Sequence, residues 1–466
     1  MKHSLLGKLA GVCALTFALN TAIAAQPTNR PPNIVFILSD DAGYADFGFQ
    51  DVVAPDIKGH TPALDRLASE GIVFTHAYVS GTVCSPSRAG ILTGRYQEKF
   101  GHENNMRPKG GLPLTETLIP VFMEHLGYYS ECLGKWHLGY LPQYHPVPRG
   151  FDHFLGFLQG ERSYLPLANP RYNVVFLDNE TPTPEDGYVT DRIGDAACRT
   201  IKRLAATGKP FFEYVAFSAA HAPLQPRPTD KEWVQNLHAR SQGRGNYIGL
   251  IKALDENVAS IVAAIKDAGV ADNTMIVFLN DNGGQTLTCA DNGILHGHKG
   301  EMWEGGMRVP FFVVWPGKIK PGVRFDEPVI SLDLFPTFLA AAGQKPAQFP
   351  MNLDGVNLLP LLLGQTNSVP ERPLYWRMGG SKGDVAIRHG DLKIVWERGK
   401  DRPPGLYNLV ADPSEKQDIS TQNKADFDRL MAELTKWESQ LIDPLWGPGS
   451  KEADNKPNKE DGQEGE

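Results

Sequence analysis

The 466-residue chain is short of positive charge, of cysteine and of long apolar segments. Lys and Arg number 46 against 54 Asp and Glu, a formal net charge of -8. A nucleic-acid binder needs a basic surface, so this balance argues against that class. It does not exclude a small anionic substrate, which a few local cations can hold. Five cysteines without regular spacing make no disulfide framework, and a core of this size needs none. Beyond the N-terminus no run is long and apolar enough to cross a bilayer. No internal repeat is evident. The length itself favours one large domain with a smaller one.

The N-terminus reads as a targeting segment. Lys2 and Lys8 precede an apolar run from Leu9 to Ala25, and Ala22-Ile23-Ala24 fits a small-residue cleavage site. Residues 1–24 are therefore expected to be a signal peptide, with no membrane anchor after cleavage and a periplasmic or secreted location. Val12 stands before Cys13 where lipid attachment wants a small residue. In an exported chain Cys84, Cys132, Cys198 and Cys289 meet oxidising conditions. If Cys84 is used chemically, at most one intrachain pair remains.

Asn33 to Leu38 is a continuous apolar, β-branched run that ends at Ser39-Asp40-Asp41. Such a run suits a strand buried on both faces. The same order recurs: Tyr128–Leu133, Phe211–Phe217 and Thr274–Leu279 read as strands that end at Gly134-Lys135-Trp136-His137, His221-Ala222-Pro223 and Asn280-Asp281-Asn282-Gly283. Helical patterns lie at Thr61–Glu70, where Thr61-Pro62 supplies cap and first turn, and at Tyr188–Ala206 and Tyr247–Ala268. Alternating strands and helices mean an α/β fold with a mostly parallel sheet, and ligands of such sheets sit beyond the strands' carboxyl ends. Residues 25–370 are expected to form this catalytic domain. Short strands at Pro373–Arg377, Asp384–His389, Leu392–Trp396 and Leu406–Leu409, with a helix at Asp426–Leu441, predict a smaller antiparallel α+β part over 371–446. Residues 447–466 are expected to be a disordered polar tail.

Adjacent aspartates are commonly a loop or helix cap. Two acidic pairs, each at the end of an apolar strand, point instead to a cation. Asp40, Asp41, Asp281 and Asn282 offer only oxygen, which suits calcium better than zinc.

A lone cysteine near a helix start is usually structural. Here Cys84-Ser85-Pro86-Ser87-Arg88 is followed by Thr93-Gly94-Arg95. Gly134-Lys135-Trp136-His137-Leu138-Gly139, Asp281-Asn282-Gly283 and the run from Lys299 to Pro310 complete the pattern. Over roughly residues 31–440 the chain resembles the type I formylglycine-dependent sulfatases, which have an alkaline-phosphatase-like α/β/α sandwich. The resemblance implies that a formylglycine-generating maturation enzyme oxidises Cys84 to formylglycine. One oxygen of its hydrate attacks sulfur, and the other then drives sulfate out. It implies a Ca2+ held by Asp40, Asp41, Asp281 and Asn282 together with residue 84. It further implies that Arg88 and His137 contact the hydrate, that Lys135 and Lys299 contact sulfate oxygens, and that His221 is the general acid, with Lys299 sharing that role.

The polar loop Gly101–Gly111 follows the signature closely. His102, Asn104, Asn105 and Arg107 are candidates for the pocket rim and for sugar hydroxyls, with an ordinary surface loop as the alternative. His296 and His298, just before Lys299, are further candidates, as are the loops Glu161–Tyr172 and Arg377–Lys382. Export and polar loops favour a sulfated carbohydrate. The runs Arg95-Tyr96-Gln97 and Phe100 to Asn105 resemble bacterial polysaccharide sulfatases, which makes a galactan such as carrageenan the first expectation. Glycosaminoglycan or aryl sulfates are alternatives. So is a phosphate or phosphonate ester hydrolase of the same fold.

Overall fold

The apolar run after Pro32 forms β1 (Asn33–Ser39), buried along its whole length. Ile34, Phe36 and Leu38 enter one hydrophobic cluster, and Val35 and Ile37 enter the other. A strand covered on both faces shows no polar–apolar alternation, hence the continuous run. The computed structural model describes residues 30–350 and 352–451. The leader at 1–24 and residues 452–466 of the expected tail lie outside the described residues. Among the described residues, those from Pro31 onward form one compact unit.

The strands that follow are β2 (Ile72–Phe74), β3 (Ala77–Tyr78), β4 (Tyr129–Lys135), β5 (His153–Phe157), β6 (Leu177–Asp178), β7 (Thr181–Pro182), β8 (Phe211–Ala216), β9 (Thr274–Asn280), β10 (Phe311–Val314) and β11 (Val323–Phe325). All but β3 form a ten-stranded sheet in the order β11-β2-β10-β9-β1-β8-β4-β5-β6-β7. Its centre, β9-β1-β8-β4-β5, is parallel. Strand β10 runs antiparallel to β9 and to β2. Helices Pro62–Ser69, Val189–Ala205 and Gln242–Asp267 cover one face; Cys84–Thr93 and Leu334–Ala341 cover the other. The result is the expected α/β/α sandwich, with the carboxyl ends of β1, β4, β8 and β9 along one edge.

One helix start differs from expectation. Thr61 makes no side-chain cap; its hydroxyl turns to Asp65. Asp255, from the Gln242–Asp267 helix, accepts instead from the N–H groups of Ala63 (3.1 Å) and Leu64 (2.8 Å). A carboxylate at a helix N-terminus meets both unpaired donors and the helix dipole.

Strand β12 (Val329–Ile330) pairs with β3. Strands β13 (Leu374–Met378), β14 (Asp384–His389), β15 (Leu392–Trp396) and β16 (Gly405–Asn408) make a four-stranded antiparallel sheet, packed by helix Lys424–Glu438. This sheet has no core of its own. Trp376, Ile387, Ile394 and Leu434 share a cluster with Tyr78, Met302, Trp303 and Leu332. Buried Lys393 on β15 also bridges Glu304 (3.0 Å) and Glu415 (2.8 Å). Residues 447–450, expected within a disordered tail, are packed. Ser450 is buried, Gly449 lies against Gly379, and Asn104 Nδ2 donates to the Pro448 carbonyl at 3.3 Å.

Among the described residues no helix is long and apolar enough to cross a membrane. Cys84, Cys132, Cys198 and Cys289 are all free.

Candidate active site

Strand β1 delivers Asp40 and Asp41. Successive side chains of a strand point to opposite faces, so two adjacent residues can share a site only where the backbone turns. Asp41 makes that turn with a left-handed φ of 59°, a region Asp tolerates better than most residues. Both carboxylates then face Cys84: its Sγ lies 3.5 Å from Asp40 Oδ1 and 3.9 Å from Asp41 Oδ1.

Strand β4 delivers Lys135 and, just beyond it, His137. Gly134 sits at φ 94°, and a Cβ there would lie 2.1 Å from the Ala216 carbonyl oxygen. Only glycine lets β4 approach β8 this closely. His137 has φ 58°, and its ring packs on Gly160, where a Cβ would come within 2.5 Å of it. Strand β9 delivers Asp281 and Asn282. Beyond β8, His221 enters from the loop, with Nδ1 2.7 Å from the Ala222 carbonyl and Nε2 3.5 Å from Asp41 Oδ2. Lys299 arrives on a separate loop, its Nζ 2.7 Å from Asp41 Oδ1.

The charges interlock. Arg88, fully buried, donates through Nε (3.0 Å) and Nη2 (2.8 Å) to Asp281 Oδ2 and through Nη2 to Asp40 at 3.4 Å. Lys135 Nζ is bonded to Asp40 Oδ2. Burial alone would raise the Asp40 pKa, but the charges of Lys135, His221, Arg88 and Lys299 outweigh it and hold the carboxyl below its usual range. Asp281 goes the other way, raised by burial and by the negative charge of Asp40 against Arg88 and Lys135. The His137 imidazole is pushed well below its usual value by burial and then by Lys135 and Arg88. Burial and Asp40 likewise push the Cys84 thiol up. An unmodified thiol here is therefore a poor nucleophile.

The donor set fits a hard cation. Asp40, Asp41 and Asp281 bring carboxylate oxygens. Asn282 brings Oδ1, which is buried and has no hydrogen-bond partner, while its Nδ2 is used on Asp41 Oδ1 at 2.8 Å. A buried acceptor without a donor is costly, and a cation relieves it. Asp40, Asp41, Cys84 and His221 also offer ligand atoms within 4.8 Å of one another, a softer set. We favour the oxygen set: His221 already meets Asp41, and the orphaned acceptor belongs to Asn282.

The expected rim residues divide. His102 is no rim residue; it is fully buried, so it cannot meet a sugar while the loop stays folded. Asn104 donates to the Trp446 carbonyl at 2.8 Å. Asn105 is exposed, but its Oδ1 accepts from Ser85 N at 3.2 Å. Arg107 is exposed at the loop tip. His298 is half-buried, with Nδ1 3.0 Å from the Lys299 carbonyl, and His296 stacks on Trp303 at 4.2 Å. Glu161 reaches the mouth, 4.0 Å from His221 Nδ1. From the Arg377–Lys382 loop, Arg377 is buried against Glu103, and Met378 Sδ lies 3.7 Å from Thr82 Oγ1. Sequence reasoning passed over Ser85, Gly160 and Trp446. The one available signal was Trp446 itself, a large aromatic in a Pro- and Gly-rich stretch.

Three acids, an amide oxygen and three basic side chains at one edge of an α/β/α sandwich suit hydrolysis of an anionic ester, and the fold is of the alkaline-phosphatase-like class. Residues 32–344 match the sulfatase family model, and residues 296–442 match that of the N-sulphoglucosamine sulphohydrolase C-terminal region. The chain belongs to the sulfatase family and is a sulfuric ester hydrolase. It is 34% identical over 455 residues to N-acetylgalactosamine-6-sulfatase of Sus scrofa, covering 86% of this chain and 84% of the relative. It is 33% identical over 461 residues to arylsulfatase A of Homo sapiens, covering 87% and 86%. Among solved structures, Ps i-CgsB in complex with k-i-k-neocarrahexaose matches with a TM-score of 0.83 and 36% identity, over 91% of this chain and 96% of that one.

Proposed function

We propose that the protein is an exported, calcium-dependent sulfatase that removes sulfate from a galactan such as carrageenan, with a formylglycine made from Cys84 as nucleophile. The likeness to Ps i-CgsB, solved with k-i-k-neocarrahexaose, carries the substrate reading. A second reading, the 6-sulfate of a glycosaminoglycan galactosamine, is favoured by the identity to N-acetylgalactosamine-6-sulfatase.

Formylglycine at position 84 supplies a hydrated aldehyde that attacks sulfur with one hydroxyl and expels sulfate by deprotonation of the other. Calcium supplies positive charge that lowers the nucleophile's pKa and offsets charge on the sulfate. The chain's own residues do the rest. Cys84 Sγ marks where the hydrate oxygens stand, beside Asp40 and Asp41. Arg88 locks Asp281 and Asp40 in place. Lys135 and Lys299 hold sulfate oxygens as point charges. His137 is kept neutral by its surroundings, and it helps to remove the proton of the second hydroxyl. His221, its Nδ1–H held by the Ala222 carbonyl, gives the leaving oxygen its proton from Nε2 as the imidazolium.

Sulfate release from carrageenan oligosaccharides and from N-acetylgalactosamine 6-sulfate tests the choice, using protein co-expressed with a formylglycine-generating enzyme. Turnover of the first set supports the galactan reading. Turnover of the second alone replaces it, and turnover of neither removes both.

A further inference from the structure

The loop after the Cys84 helix braces that helix. Val83, at its N-cap, offers no capping side chain, so the first N–H groups need partners from elsewhere. Asn105 Oδ1 takes Ser85 N. Ser85 Oγ lies 2.7 Å from the His137 carbonyl oxygen and 2.7 Å from His102 Nε2. A hydroxyl has one proton, and a carbonyl can only accept. The Ser85 proton therefore goes to His137, and His102 must donate from Nε2. His102 Nδ1 is then bare, and it is buried without a partner. Burial, helped by the charge of Arg149, pushes the ring's pKa down to about 3, which keeps it neutral.

The far side of His102 is clamped. The Trp446 ring meets it edge-on, with centroids 4.8 Å apart. The indole N–H donates to the carbonyls of Asn104 (3.1 Å) and Asn105 (2.9 Å). Asn104 Nδ2 donates back to the Trp446 carbonyl at 2.8 Å, and Leu445 N donates to the Gly101 carbonyl at 2.9 Å. A segment near the C-terminus is thus tied, through one imidazole, to the residue next to Cys84.

Resting on the sulfatase reading above, we propose that His102 is a positioning residue. Held by Trp446, its Nε2–H fixes Ser85, and through Ser85 it fixes both the nucleophile at position 84 and His137. Small displacements of reacting groups are costly in rate, so its loss should appear in kcat and be the same for any substrate.

Three full-length variants test this. His102→Leu fills the space without a donor, His102→Gln restores an N–H at similar reach, and Trp446→Phe keeps a ring but loses the indole N–H. Conversion of residue 84 is measured by mass in each, and rates are normalised to it. We expect His102→Leu to lower kcat about 10- to 100-fold on both nitrophenyl sulfate and the glycan, with KM nearly unchanged. His102→Gln should recover most of the loss, and Trp446→Phe should fall between. Imidazole nitrogen NMR of the wild type should show His102 as the neutral Nε2–H tautomer from pH 5 to 8. Four results overturn the proposal: His102→Leu as active as the wild type, His102→Gln as slow as a slowed His102→Leu, a loss confined to KM for the glycan, or a ring that titrates near 6.5. If His102→Leu does not fold, the Gln and Phe variants decide alone. A wild type inactive on every sulfate ester sinks the sulfatase reading. An active wild type with an equally active His102→Leu sinks only this inference.

Discussion

His221→Ala separates proton donation from binding. A carbonyl only accepts, so the Nδ1–H of His221 stays on Ala222 at 2.7 Å; the acid is therefore the imidazolium, which hands over the proton on Nε2, the nitrogen that faces the site at 3.5 Å from Asp41. A positioned general acid contributes about 10²- to 10⁴-fold, equivalent to about 3–5 kcal/mol of barrier. That full loss should fall on a sugar sulfate, whose alcohol leaves poorly without a proton. A nitrophenyl sulfate has a good leaving group and needs little donation. Removing the ring also strips Asp41 of a neighbour, but that effect is common to both substrates and cancels in the ratio. The ratio of kcat/KM for glycan to nitrophenyl sulfate should therefore fall about 100-fold or more. Across a series of aryl sulfates, the dependence on leaving-group pKa should steepen. Equal losses on both substrates and an unchanged slope would show that His221 only positions the substrate.

Asp281→Ala removes a carboxylate and the main partner of buried Arg88; calorimetry should show loss of calcium binding, with activity lost in parallel. In the wild type, chelation should abolish activity, and calcium should restore it better than zinc. The folded pKa of Asp255 is raised from 3.8 to about 6, chiefly by burial, so the folded state keeps a proton that the unfolded chain releases. The cost of ionising it is absent below pH 3.8 and complete above about 6, up to about 3 kcal/mol. Asp255→Asn should therefore gain on the wild type by up to that amount in urea melts as pH rises from 4 to 8; a pH-independent difference refutes the assignment. Lys393→Met leaves Glu304 and Glu415 buried without their shared cation. It should cost about 3–5 kcal/mol in the same assay, and a change under about 1 kcal/mol would contradict the bridge.

The parts of the fold that sequence foretells are those whose burial leaves a one-dimensional trace. Strands β1 and β9 are covered on both faces, and each is a nearly unbroken apolar run, while β4 and β8 are also buried but carry Glu131 and Glu213 within them. The residues just past them had to be the polar ones at the sheet edge. Strand β10 is equally apolar, but its antiparallel place between β9 and β2 depends on where the chain travels, which no local pattern records. The same limit applies to side chains. His102, Asn104, Asn105 and Arg107 look alike as a polar loop, yet His102 is sealed beneath Trp446 while Arg107 is exposed. The partner that decides this lies more than 300 positions away. Thr61 had the composition of a cap, but Asp255, 191 positions from Leu64, does the capping. Partners that remote are set by packing, and packing also ordered residues 447–450, which composition alone marks as tail.

Mass analysis of residue 84 tests the central claim most directly. The tryptic peptide Leu67–Arg88 contains Cys84 and no internal Lys or Arg. In active protein from a host that supplies the maturation enzyme, it should be lighter by about 18 Da than the cysteine form, as a thiol carbon becomes an aldehyde. Turnover of nitrophenyl sulfate should scale with the converted fraction across preparations. Fully active protein whose residue 84 is entirely unmodified cysteine would contradict the account.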